Sequence, residues 1–212
     1  MWRLNSNLTA CIASGRLILL DEARDRYSAV PDDSVAFIEA WLSAADGSDV
    51  PAPLARMLGD TSPGRLTNQL RIDVSAPNPT AGQPAGTGAD LTSVFSVTRT
   101  ILASWSLLRT RKLHRILAHH RGRRTAATLL EPSALVDCAQ RFANARRWCP
   151  MKRNCLLDSL ALDRWMEHPR NAEIVFGVVA KPFEAHCWVQ SEATVLNDSY
   201  DRVSRFEPIL TV

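Results

Sequence analysis

Between Ser75 and Asp90 the chain reads Ser-Ala-Pro-Asn-Pro-Thr-Ala-Gly-Gln-Pro-Ala-Gly-Thr-Gly-Ala-Asp, without one bulky apolar side chain. Such a stretch cannot bury enough surface to offset the entropy lost on ordering, so no single hydrophobic core can run through it. It reads as a flexible linker. The expected organisation is a small domain over residues 1–74, a linker over 75–90 and a larger domain over 91–212. At 212 residues and 46% apolar, the chain has material for a substantial core plus a small module.

The larger part carries the chemistry. From Cys155, apolar residues recur three and four apart through Leu156, Leu157, Leu160, Ala161, Leu162, Trp165 and Met166, the spacing of an amphipathic helix. Asn154 stands at the N-cap position and the run ends at His168-Pro169, which puts Cys155 in the first turn. There the helix N-terminus favours thiolate over thiol. Ile174 to Val179 is a β-branched run that reads as a buried strand, and Ala185 to Gln190 and Thr194 to Asp198 read as two more. With Ser191-Glu192-Ala193 as a hairpin loop, Gln190 pairs with Thr194 and His186 comes to lie opposite Asp198. A one-residue bulge would spoil that register. Thiol, imidazole and carboxylate together are the equipment of a cysteine nucleophile. Taken singly, each has an ordinary role: a buried cysteine, a satisfied strand histidine, an Asn-Asp turn.

Other readings are narrower. Five cysteines at irregular spacing give no disulfide framework and fit a reducing, cytoplasmic setting. Cys149 with Cys155, or His119 with His120, make no recognisable zinc pattern, so no metal site is expected, and Cys11, Cys138, Cys149 and Cys187 read as packing residues. The first residues lack a basic start followed by an apolar core, so no signal peptide is expected, and no run reads as long and apolar enough to span a bilayer.

The wording of the catalytic segment resembles a known family. Cys155-Leu156-Leu157-Asp158-Ser159-Leu160-Ala161-Leu162, Gly177-Val178, Pro182-Phe183-Glu184-Ala185-His186-Cys187-Trp188-Val189 and Val195-Leu196-Asn197-Asp198 resemble the peptidase domain of lasso-peptide biosynthesis B proteins. Their fold is transglutaminase-like and papain-like. The family pattern often has Ala where Cys187 stands, and an acidic residue then Gly in the turn occupied here by Gln190-Ser191-Glu192-Ala193. The resemblance implies a cysteine peptidase that cuts the leader from a ribosomally made precursor, after which an ATP-dependent cyclase of the asparagine-synthetase type closes the core. It implies Cys155 as nucleophile, His186 as general base then acid, and Asp198 as orienting group, with no cofactor on this chain and ATP only at the cyclase. Asn154 and Trp188 are expected at the substrate cleft, and Arg153, Asn154 or the Cys155 backbone N–H as oxyanion donor.

The first 74 residues read as three strands, Leu8–Ile12, Gly15–Asp21 and Tyr27–Val30, followed by a helix over Val35 to Leu42 and two short helices around Leu54 to Leu58 and Leu66 to Ile72. That is a small winged-helix-like plan, making the whole chain α+β. Gly15-Arg16-Leu17-Ile18-Leu19-Leu20-Asp21 and Arg26-Tyr27-Ser28-Ala29-Val30 resemble the precursor-peptide recognition element, related to the small peptide chaperone of pyrroloquinoline quinone biosynthesis. The resemblance implies that a leader adds as a strand to an exposed edge. Tyr27, Ser28, Ala29 and Val30 are the expected edge, and Leu54, Leu58, Leu66 and Leu70 the expected groove. Duplex DNA binding is the rival use of a winged helix, but Arg65 and Arg71 alone are thin for it, and no nucleic-acid partner is expected.

Net charge is a modest +3, yet Arg109, Arg111, Lys112, Arg115, Arg121, Arg123 and Arg124 crowd one stretch, while Leu91, Val94, Phe95, Ile101, Leu102, Trp105, Leu108, Ile116 and Leu117 place an apolar stripe along the same helical region. This is either the solvated basic face of one core helix or a docking surface for an acidic leader, the cyclase or an anionic membrane. Two other functions use the same residues: a transglutaminase-type acyltransferase, or a protein that presents precursor peptides without cutting them.

Overall fold

The computed structural model describes residues 1–5, 7–44, 51–52, 54–55, 70–71, 74–77 and 88–212. The chain divides into two compact units. One comprises Met1–Val74, Gly177–Ala185 and Phe206–Leu210, and the other Ser75–Phe176, His186–Arg205 and Thr211–Val212. The architecture is α+β, with an antiparallel sheet near the N-terminus and a helical layer and second sheet in the rest.

The N-terminal sheet contains β1 (Trp2–Asn5), β2 (Leu8–Ala13), β3 (Arg16–Asp21), β4 (Arg26–Ala29) and β5 (Leu70–Arg71), in the order β4-β3-β2-β1-β5. β2 and β3 form a hairpin through Ser14 and Gly15, both at positive φ (50° and 72°), with Ala13 opposite Arg16. Positive φ at both central positions is the turn geometry that matches strand twist. Three of these strands follow from the sequence pattern. β1 and β5 do not, and Leu70–Arg71 pairs with β1 as strand where a helix over 66–72 was expected. Two residues are too few for a period to show. α1 (Val35–Ser43) lies over the sheet, its Ile38, Trp41 and Leu42 joining Leu4, Leu8, Leu17, Leu19 and Val30 in one core.

The helical layer consists of α2 (Leu91–Thr110), α3 (Leu113–Thr125), α4 (Pro132–Arg146) and α5 (Cys155–Trp165). α2 packs against α4 and α5, burying Val97 and Ile101 together with Leu135, Phe142 and Leu160. The region read as one long basic helix is two, because Arg111 turns to extended backbone (φ −128°, ψ 148°). By length and composition α2 is also long and apolar enough to cross a membrane, contrary to expectation. Its Ser and Thr residues interrupt the apolar run without lowering its mean hydropathy far enough.

β6 (Glu173–Ala180), β7 (Phe183–Ser191), β8 (Thr194–Val195) and β9 (Glu207–Thr211) form the second sheet in the order β8-β7-β6-β9, with a short α6 (Tyr200–Val203) before β9. Ile174 and Val212 exchange both backbone hydrogen bonds, at 2.8 and 2.9 Å, the antiparallel pattern. The Pro- and Gly-rich stretch over 78–87 lies outside the described residues.

Candidate active site

Cys155 is the first residue of α5. Asn154 is the N-cap in extended conformation, and its Oδ1 accepts from the Leu157 N–H at 3.1 Å. The Asn154 carbonyl accepts from the Asp158 N–H at 2.9 Å, so Cys155 and Leu156 are left with the orphan N–H groups of the first turn. The loop before the helix is clamped by Arg146 from the end of α4. Its Nε donates to Asp158 Oδ1 at 2.9 Å, and its terminal nitrogens donate to the carbonyls of Met151 at 3.0 Å and Lys152 at 3.2 Å.

The second half of the site comes from β7 and the chain beyond β8. Here the register differs from the expected one. Ser191 pairs with Thr194 and Gln190 with Val195 around a two-residue turn, Glu192-Ala193, with Glu192 at φ 49°. In a continued ladder that shift would move Asp198 away from His186. β8, however, ends at Val195, and the Asn197 side chain takes over the ladder, its Oδ1 accepting from the Val189 N–H at 2.7 Å. The chain bends at this point, and Asp198 reaches His186 across the bend: His186 Nε2 donates to Asp198 Oδ2 at 2.6 Å. Asn197 Nδ2 also donates to Ser159 Oγ at 2.9 Å, and Ser159 Oγ to the Cys187 carbonyl at 3.3 Å, which links α5 to β7. Nothing in the spacing of Ser159 and Asn197 along the chain marks either as a tie.

With Nε2 committed to Asp198, the other ring nitrogen of His186 is the one available to Cys155, and the two side chains are hydrogen-bonded. Hydrogen bonds from the Cys187 thiol and His186, with a further one from the Cys187 N–H, outweigh burial and hold the Cys155 thiol at about 4. Burial opposes protonation of His186, but Asp198 and Cys155 together raise it to about 9. Between those values the site is a thiolate beside an imidazolium. Cys187 itself is pushed well above the ordinary thiol range by burial and by its neighbour's charge, so it remains a donor. The sequence pattern alone makes Cys187 a packing residue.

The expected cleft residues fare differently. Trp188 is only 1% exposed, stacks 6.1 Å from the His186 ring and donates to Gln190 Oε1 at 2.9 Å, so it backs the imidazole and does not meet a substrate. The reason is strand geometry: Trp188 lies two residues from His186 and shares its buried face. Beside Asp198 there is a cleft of about 170 Å³ whose lining includes Phe142, Arg147, Arg153, Asp158 and Asn197, giving it a cationic wall. In the N-terminal unit, β4 is at one end of the sheet among the described residues, and the Tyr27 ring packs 5.5 Å from Phe183. Val30 and Leu54 are not on an open groove: both are buried in the core, at 2% and 0% exposed. Leu58 and Leu66 lie outside the described residues, and of Leu70 only the strand backbone is described.

A second cluster has no counterpart in the expected sites. His120 Nδ1 and His168 Nδ1 each donate to Asp163 Oδ2 at 2.6 Å, and Arg124 donates to Asp163 Oδ1 and to the Val212 carbonyl. His120, Asp163 and His168 are buried, and their ligand atoms lie within 4.8 Å of one another, so they form a candidate metal-holding group. Burial opposes ionisation of Asp163, yet the two imidazoles and Arg124 hold its carboxyl well below the ordinary range. Because Arg124 already answers that charge, a dication here would leave excess positive charge in a buried place. His168 is brought in by a turn after α5. Its N–H donates to the Asp163 carbonyl at 2.8 Å and the Glu167 N–H to that of Arg164 at 3.1 Å, a Schellman closure with Glu167 and His168 both left-handed (φ 63° and 58°).

Residues 98–211 match the transglutaminase-like superfamily. The chain belongs to that superfamily. Comparison with curated proteins and comparison with solved structures each return no match. Members of this superfamily share a papain-like fold and include cysteine hydrolases and acyltransferases, and the thiol at the start of α5 and the imidazole on β7 lie within the matched region of this member.

Proposed function

We propose that this transglutaminase-like protein is a cysteine peptidase that removes the leader from a ribosomally synthesised lasso-peptide precursor. The observation that carries the peptidase reading is the Cys155 thiolate paired with a His186 imidazolium that Asp198 orients. In this reading Cys155 Sγ attacks the scissile carbonyl, and the tetrahedral oxyanion is met by the free N–H groups of the first turn of α5. His186 gives its proton to the leaving amine, which departs with the core peptide, and the acyl group stays on sulfur as a thioester. His186 then takes a proton from water, which attacks the thioester and releases the leader.

The assignment to a lasso precursor rests on the sequence around Cys155, His186 and Asp198, and the leader site on β4, the end strand of its sheet among the described residues, beside which a peptide would add as a further strand. A partner ATP-dependent cyclase is part of the same proposal. Membership of the superfamily favours one other outcome, interception of the thioester by an amine instead of water.

The test is mass spectrometry of the precursor peptide incubated with the wild-type protein and with Cys155→Ala, with and without the cyclase. A leader fragment from the wild type alone supports the reading. An adduct heavier by an amine assigns acyl transfer. A precursor that is bound and left intact by the wild type overturns catalysis.

A further inference from the structure

From Leu91 to Leu130 the chain holds eight basic residues and no acidic one, so the remainder of a chain of net +3 carries −5. Arg99, Arg109, Arg111, Lys112, Arg115 and Arg123 of that segment are exposed. The same segment displays the large apolar side chains Leu91 at 87% exposed, Phe95 at 73%, Leu102 at 48% and Trp105 at 40%, all on α2. At 3.6 residues per turn these four and Arg109 fall within an arc of about 80°. The Arg109 guanidinium sits 4.6 Å over the Trp105 ring and closes the stripe at its C-terminal end. Ser93, Val97, Ile101 and Ser104 occupy a separate arc that is buried.

We propose that this exposed stripe of α2, with the basic segment that follows it, docks the protein on an anionic bilayer surface. The helix lies on the membrane and does not cross it, because its other arc is already committed to α4 and α5. Phe, Leu and Trp enter the interface while the arginines and lysine face lipid phosphates, the division of labour of an interfacial helix. Absence of any carboxylate over forty residues is what separates this surface from an ordinary solvated helix face, where opposite charges are interspersed. The inference is independent of the peptidase reading, since it uses none of the residues of the candidate site.

Sedimentation of the full chain with vesicles tests it. The protein should be carried down by phosphatidylcholine mixed with phosphatidylglycerol and not by phosphatidylcholine alone, and raising salt from about 0.01 M to about 1 M should weaken binding at least about tenfold. Phe95→Ser with Trp105→Ser, and separately Arg111→Glu with Lys112→Glu, should each lower partitioning by about tenfold or more. Circular dichroism checks that each variant is folded, and Leu91→Ser, at the most exposed position, replaces the first pair if it is not. The proposal is overturned by equal partitioning onto neutral vesicles, by no binding at low salt, or by undiminished binding of both folded variants. It also fails if the stripe variants change the sedimentation coefficient of the protein alone and leave vesicle binding intact, which would assign the stripe to a second copy of the chain.

Discussion

Two histidine–aspartate constellations occur in one unit, built from the same residue types and with the same 2.6 Å contacts, yet their surroundings give them opposite characters. At His186 one imidazole faces one carboxylate and a half-exposed thiol, so a proton and a charge are left poised at a reactive sulfur. At Asp163 two imidazoles and a guanidinium surround one fully buried carboxylate. Both of its oxygens accept hydrogen bonds there, and the donors are buried with it. What separates the two clusters is the partly exposed thiol that the first imidazole faces, not the imidazole and carboxylate that they share.

The sharpest way to break this comparison is to remove each carboxylate in turn. Asp198→Ala should lower turnover by on the order of 10²–10⁴-fold, with the melting temperature little changed, because the imidazole loses its orienting partner. Unchanged cleavage would take Asp198 out of the site. Asp163→Ala should do the reverse, costing about 3–5 kcal/mol in urea denaturation, since Arg124 is left buried and uncompensated, while the folded fraction keeps its activity. A stable but inactive Asp163→Ala protein would show that the second cluster takes part in the chemistry.

Acidity sharpens the contrast further. The Asp163 carboxyl is held low in the folded state, so its contribution to stability is present above the ordinary carboxylate pKa of 3.8 and is lost as pH falls through the folded value. His186 is raised, so its contribution is complete below 6.5 and is lost as pH rises through about 9. Cleavage should therefore follow a bell with limbs near 4 and near 9, and Asp198→Ala should move the upper limb down. A single limb near the ordinary cysteine value would contradict a preformed ion pair. The smallest effect is expected at Cys187. Cys187→Ala removes one donor to the Cys155 sulfur, and the rate of Cys155 alkylation at pH 5 should fall by about threefold to tenfold, which iodoacetamide kinetics would read.

Local rules reached far along this chain wherever a period or a cap was present. The 3.6-residue spacing and Asn154 placed Cys155 at the first turn of α5, and the β-branched run from Ile174 placed β6. Short or interrupted elements escaped: β1, β5 and β9 were not foreseen, and the break at Arg111 between α2 and α3 carries no Gly or Pro to mark it. The hairpin count failed by one residue because a two-residue turn replaced a three-residue loop, and Asn197 then ended the ladder with its own side chain.

The sequence by itself determined that the chain would be mixed α and β, that a thiol would open a helix, and that an imidazole would sit on a later strand, since each depends on neighbours within a turn or a hairpin. Only the tertiary structure decided which carboxylate met which imidazole. Asp198 reaches His186 because the chain leaves the sheet after Val195, and Asp163 gathers His120 from 43 residues away and Arg124 from 39. Contacts at such separations arise from how helices and sheet edges come together, and side-chain spacing along the chain holds no record of that.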